Sequence, residues 1–211
     1  PRLSALQKKF GNAAINLNGS SYLSAPPTED LDLSTGNFTV DLWLRLTVNQ
    51  VYNPLLGVGD GNASGRTTGW MFGIISNELT MYRYDGTAET RQSVAWTPTL
   101  NTWYHLAVVR DGTALRFFVD GVQQGVDQDV SGLDFSRVDD EAFYVGGNFW
   151  VEAGSQYNLN GYLDEIRISK RTARWTGGFS PATAAFENDG AIVLLLHGDS
   201  EWDASGHNRI L

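Results

Sequence analysis

The chain has no cysteine in its 211 residues. That removes disulfides and thiolate metal sites and leaves packing as the source of stability. Proline is scarce too, six residues against 23 glycines, a balance that suits many tight turns rather than a disordered linker. Positive charge is in deficit: 15 Lys and Arg face 24 Asp and Glu, for a net charge of −9. Nucleic-acid backbones are gripped by clustered Lys and Arg, so that class of partner is not expected. No apolar run approaches the roughly 20 residues that span a bilayer as a helix, so no membrane insertion is expected either. The opening "PRLSALQKKF" lacks the apolar core of a signal peptide.

What is present is strand signal. In "NFTVDLWLRLT", Phe38, Val40, Leu42, Leu44 and Leu46 share one face, and Thr39, Asp41, Trp43 and Arg45 share the other, which is the period of a half-buried strand. The same reading fits "GWMFGII", "ELTMYRY", "TWYHLAVVR", "ALRFFVD", "AFYVGG" and "GYLDEIRI". Asp111-Gly112 and Asp120-Gly121 mark hairpins, because a type I′ turn needs the positive φ that glycine adopts freely. About a dozen short strands and no amphipathic helix predict an all-β fold, two packed antiparallel sheets in one domain over residues 1–211. The apolar run Ala191–Leu196 near the C-terminus predicts a last strand that closes the sheet beside the N-terminal strands, since an unpaired edge of that kind aggregates.

Several side chains are candidates for chemistry. Asp164 shares strand parity with Tyr162, Ile166 and Ile168, so if those face the core its carboxylate points inward as well, and a buried charge needs a partner. Glu165 and Arg167 fall on the opposite face of the same strand and read as an exposed ion pair. His105, His197 and His207 lack paired metal-ligand spacing. The loop "GGNFWVEAGSQYNLNG" offers Asn148, Phe149, Trp150, Glu152, Gln156, Tyr157 and Asn158 for stacking and hydrogen bonding to a sugar, and Tyr82, Arg83 and Tyr84 form a second patch. The competing reading is that rim aromatics plug the ends of the core. The segment "RTARWTGGFSPATAAF", with Arg171, Arg174 and Trp175, reads as a coil packed across the sandwich before the final strand.

Taken in order, "AINLNGSSYLSAP", "NFTVDLWLRL", "TWYHLAVVRDGTALRFFVDG" and "LNGYLDEIRISKRTARWTGGFSP" resemble the laminin G-like, concanavalin A-like lectin and glucanase jelly rolls. The resemblance runs from Phe10 to about Pro181. In many members a segment similar to "LLLHGDSEWDASGHNRI" precedes the domain, whereas here it follows. This fits either one unit of a tandem array or a whole domain whose last strand folds back, and the second is the expectation. The resemblance implies a structural calcium between Asp164 and backbone carbonyls around Asn18 and Gly19, which suits calcium's taste for mixed oxygen ligands. The alternative is that Asp164 bonds backbone amides or a tyrosine hydroxyl. Laminarinase-like relatives carry a Glu-x-Asp-x-Glu strand, which neither "TEDLDL" nor "RVDDEAF" reproduces, so no hydrolysis is expected.

The segment "RTARWTGGFSPATAAF" and "LLLHGD" look most similar to copies in bacteriophage virion and tail proteins. The expected function is therefore a non-catalytic recognition or assembly module outside a cell or on a virion. Its expected partners are a capsid, a fibre or identical subunits, with a host surface polysaccharide as a further ligand. The alternatives are a calcium-dependent lectin of a secreted or cell-surface protein and, behind it, a polysaccharide hydrolase.

Overall fold

The computed structural model describes residues 1–26, 28–59, 68–136, 142–147, 151–152, 155–200 and 204–207, with backbone alone given for 151, 152, 155 and 156. The described chain forms β1 (Arg2–Ser4), β2 (Ala14–Asn18), β3 (Leu23–Ala25), β4 (Phe38–Leu46), β5 (Tyr52–Val58), β6 (Gly69–Ile75), β7 (Glu78–Tyr84) and β8 (Glu89–Ala95). It continues with β9 (Tyr104–Asp111), β10 (Ala114–Val119), β11 (Val122–Asp129), β12 (Phe143–Val145), β13 (Val151–Glu152), β14 (Ser155–Gln156), β15 (Asn160–Lys170) and β16 (Ile192–Leu196). Among the described residues the helical content is one 3-10 turn, Glu29–Leu31. No helix among them is long and apolar enough to cross a membrane.

Two antiparallel sheets face each other. One has eight strands, in the order β1-β2-β15-β4-β9-β10-β11 with β16 also on β15; the other has six, β3-β12-β5-β6-β7-β8. Alternation fills the space between them. Phe38, Val40, Leu42, Leu44 and Leu46 of β4 meet Trp70, Phe72, Ile74, Leu79 and Met81 of β6 and β7 in one core. The final strand closes the sheet as expected: β2 pairs with β15 at Asn160–Leu163, and β16 pairs further along at Ile166–Ser169. Both use the flank opposite β4.

The hairpins obey the Asp-Gly signal with one adjustment. Asp120 and Gly121 both have positive φ, 49° and 76°, between paired Val119 and Val122, which is the type I′ pattern. At the other turn Asp111 pairs with Ala114, leaving Gly112-Thr113 as the loop with positive φ at Gly112. Glycine at the first central position marks type II′, one residue out of step with the type I′ expectation.

A larger departure lies in β15. Asp164 pairs with Trp43 and Arg167 with Asp41, so Glu165 and Ile166 together oppose Leu42. This is a β-bulge, and Glu165 takes φ of 49° within it. The extra residue reverses the strand's parity. Leu163, Ile166 and Ile168 all enter the main core, and Asp164 falls on the outer face beside Trp43. Asp164 is therefore buried but not on the side of Ile166 and Ile168. The exposed Glu165–Arg167 pair is corrected likewise: Glu165 is 0% and Arg167 8% exposed, and each has another partner.

Burial of that outer face comes from the strap, residues 171–190. Trp175 and Phe179 stack at 3.7 Å and pack with Ala173 over Ala107, Val109 and Phe118. Thr39 Oγ1 donates to Thr172 O at 3.0 Å, and Phe179 N to Gly121 O at 2.9 Å. A Cβ at Gly121 would run into Phe179 O, so this glycine serves both the turn and the close approach of the strap.

Candidate functional site

The outer face of the six-stranded sheet has no comparable strap among the described residues. Because β6 and β7 send Trp70, Phe72, Leu79 and Met81 inward, their alternate residues point out: Met71, Gly73 and Ile75, with Thr80, Tyr82 and Tyr84. Register aligns Met71 with Tyr82 and Ile75 with Tyr52. On β12, Phe143 and Val145 are core residues, so Tyr144 joins the outer face opposite Gly57. Tyr82 packs on Met71 and Ile75, and Tyr52, Tyr84, Tyr144 and Tyr157 pack around that cluster. Tyr52 and Tyr157 lie 4.8 Å apart between centroids, and Tyr22 meets Tyr144 edge-on at 5.6 Å. Arg91 on β8 stands opposite Tyr82, its guanidinium 5.7 Å from the ring.

The two patches expected from the sequence are thus one cluster: Tyr82, 8% exposed, and half-buried Tyr84 enter it from β7, and half-buried Tyr157 from the loop before β15, whereas Arg83 is not part of it and donates from Nε to Asp134 O at 2.9 Å. Asn148, Phe149 and Trp150 lie outside the described residues, as do the side chains of Glu152 and Gln156. Tyr52, Tyr144 and Arg91 were not anticipated. Strand parity alone puts Tyr144 outward, but only the register of β12, β5 and β6 brings it to the others. One polar group is left over beside them. Asn158, next to Tyr157, is 3% exposed; its carbonyl O accepts from Gln50 Nε2 at 2.7 Å, while among the described residues its Oδ1 has no hydrogen-bond partner. A buried acceptor without a donor is uncommon and costly.

The proposed calcium ligands are not brought together. Asn18 pairs with Asn160, four residues and about 13 Å of strand rise from Asp164, and its Oδ1 accepts from Ser20 and Ser21. Asp164 Oδ2 accepts from Lys9 N and Phe10 N at 2.7 and 3.2 Å, and Oδ1 from Glu165 N at 2.9 Å. Three N–H groups aimed at the carboxylate present positive ends where a cation would need oxygens, so these residues do not fit calcium. The amide-bonding alternative describes them.

Burial pushes the Asp164 carboxyl up to about 7, against the amide bonds that favour its charged form and with help from neighbouring Glu165. His197 is raised by its hydrogen bond to Glu165, whose oxygens each lie 3.0 Å from Nδ1. A raised folded-state value means the fold binds protons more tightly than the unfolded chain, so stability is lost as pH rises. Carboxyls held low, such as Asp41, act in the opposite sense only below about pH 4. The melting temperature is therefore expected to fall from pH 4 to pH 8, with a shallower slope in Asp164→Asn; a melting temperature that rises over this window would contradict the assignment.

Under the strap, Asp41 is the centre of a buried triad. Arg167 Nε and Nη2 donate to its two oxygens at 2.9 and 2.8 Å, and His105 Nε2 donates to Oδ2 at 3.1 Å. Burial opposes the charge on Asp41, but the bonds from His105 and Arg167 outweigh it and hold the carboxyl below its usual range. The Arg167 guanidinium lies 3.9 Å from the Phe186 ring centroid. Among the described residues no three His, Asp or Glu side chains are grouped to hold a metal ion.

Residues 17–176 match the family described as the concanavalin A-like lectin/glucanases superfamily. The chain belongs to that superfamily. Solved structures agree on the fold of this superfamily member. A candidate carbohydrate-binding protein of Bacteroides ovatus superposes with TM-score 0.68 at 17% identity over 92% of this chain, which spans 56% of that protein's length. Domain 4 of AbnA, a GH43 extracellular arabinanase of Geobacillus stearothermophilus in complex with arabinotriose, gives 0.57 at 18% identity, covering 82% of this chain and 74% of the other. The CBM40 of a Ruminococcus gnavus IT-sialidase, bound to α2,3-sialyllactose, gives 0.56 at 17% identity, covering 77% and 91%. No curated protein matches the sequence.

Proposed function

We propose that this superfamily member is a non-catalytic glycan-recognition module that holds an oligosaccharide against the outer face of the six-stranded sheet. The observation that carries the reading is the convergence of Tyr52, Tyr82, Tyr84, Tyr144 and Tyr157 on one face. Tyrosine supplies a rigid apolar plane with a polar tip, the chemistry a pyranose or furanose ring needs for stacking and edge hydrogen bonds. Two neighbours of the same fold hold arabinotriose and sialyllactose, which supports the substrate class. The missing Glu-x-Asp-x-Glu strand supports binding without hydrolysis. Its setting, in our reading, is a cell or virion surface, following the likeness of the strap and "LLLHGD" to phage copies.

A glycan and polysaccharide array read with the intact chain tests this. We expect a saturable hit, weakened about tenfold or more by Tyr84→Ala and by Tyr157→Ala, as is usual for aromatic anchors, with melting temperature retained. Binding unchanged in both variants would remove the face from the account. An array with no hit from folded protein would shift the assignment to docking on a capsid, a fibre or identical subunits.

A further inference from the structure

The opposite side of the sandwich carries a separate cavity. Between the outer face of the eight-stranded sheet and the strap lies an open pocket of about 500 Å³, lined in part by His105, Arg167, Thr172, Arg174, Trp175 and Phe186. This is within the range of about 300–1,000 Å³ typical of pockets that enclose small organic ligands. In a chain of net charge −9, the lining holds two arginines and a histidine and no carboxylate.

The acids that balance these groups stand behind them. Asp41 takes Nε and Nη2 of Arg167. Asp189 takes Nη2 of Arg174 at 2.9 and 3.0 Å, and Ser169 Oγ takes its Nε at 2.6 Å. Among the described residues no hydrogen bond engages Nη1 of either arginine. The Nδ1 of His105, a wholly buried side chain, has no partner either. Arg167, locked by the buried Asp41, presents its remaining donors in a fixed direction, which is how planar acids are recognised; Arg174 is held by the half-exposed Asp189 and by Ser169. Trp175 and Phe186 add apolar surface to the same lining.

We propose that this pocket is a second binding site, for a small organic carboxylate whose acid group is held by Arg167 and Arg174 and whose body packs against Trp175 and Phe186. It is independent of the tyrosine face, which lies on the other sheet.

The test titrates the isotope-labelled full chain with D-glucuronate and with benzoate, each beside its neutral counterpart, D-glucose and benzyl alcohol. The Trp175 indole and Arg174 side-chain resonances report the pocket. We expect saturable shifts with at least one carboxylate and none with its neutral partner. Affinity should drop about tenfold or more in Arg174→Gln, the loss of one charge-assisted contact, and stay unchanged in Tyr84→Ala. Arg174→Lys, which keeps a cation for Asp189 but loses the planar fork, should also weaken binding and serves if Arg174→Gln fails to fold. No shift with either carboxylate, an equal response to the neutral compounds, or full affinity in the arginine variants would overturn the proposal.

Discussion

Removing residues 191–211 is expected to leave no cooperatively folding protein. Strand β16 places Leu194 and Leu196 in the main core, and Ile192 and Leu195 in the cluster with Trp43 and Phe186 on the outer face. Burying each such side chain is worth about 1.5–3 kcal/mol. Four of them approach the whole net stability of a domain, about 5–15 kcal/mol. The deletion also strips His197 from Glu165, removes Asp199, which accepts from Asn12 N and Ala13 N, and leaves the flank of β15 unpaired at Ile166–Ser169. Exposed apolar edges of that kind aggregate. A milder probe, Leu194→Ala, should keep the fold and lose about 2–5 kcal/mol in urea denaturation. A truncated chain that melts at the temperature of the full one would show that β16 is not part of the core.

Asp41→Ala is expected to cost about 3–5 kcal/mol, because it strands a buried arginine without its counter-ion. Asp41 and His105 are both 0% exposed, and the Arg167 guanidinium spends two of its nitrogens on Asp41, so removing the carboxylate leaves both partners without their shared acceptor. The cost lies in the uncompensated charge rather than in the pair itself. Asp41→Leu combined with Arg167→Met should therefore lose less than Asp41→Ala alone, and a double-mutant cycle in denaturant measures the difference. A loss under about 1 kcal/mol for Asp41→Ala, as at an exposed ion pair, would contradict the buried triad.

Much of this is legible in the sequence. The alternation Phe38-Val40-Leu42-Leu44-Leu46 read directly as a core-facing strand, the Asp120-Gly121 turn as a hairpin, the apolar C-terminal run as a strand that must be paired, and the Trp175 segment as a cover. The bulge was not legible. Nothing in "LDEIRI" distinguishes Glu165 from its neighbours, and bulges are set by how two strands meet rather than by local propensity. With the parity reversed, Asp164 changed faces and the Glu165–Arg167 pair became two separate buried interactions, Glu165 with His197 and the Phe186 amide and Arg167 with Asp41.

The tyrosine face was half legible for a similar reason. Tyr82 and Tyr84 stood out by their spacing on one strand. Tyr52 and Tyr144 are isolated in sequence and reach them only through the register of β5, β6 and β12, which depends on long-range pairing. The calcium expectation had a different source. It came with the family resemblance, and Asp164 instead uses its oxygens on the amides of Lys9, Phe10 and Glu165.

The most direct measurement is chemical-shift mapping of the chain with the strongest oligosaccharide from the array. Shifts concentrated on Tyr52, Tyr84, Tyr144, Tyr157 and Asn158, and lost on Tyr84→Ala, are the predicted result. Shifts that avoid this face and appear elsewhere on the sandwich would contradict the claim that the six-stranded sheet is the glycan-recognition surface.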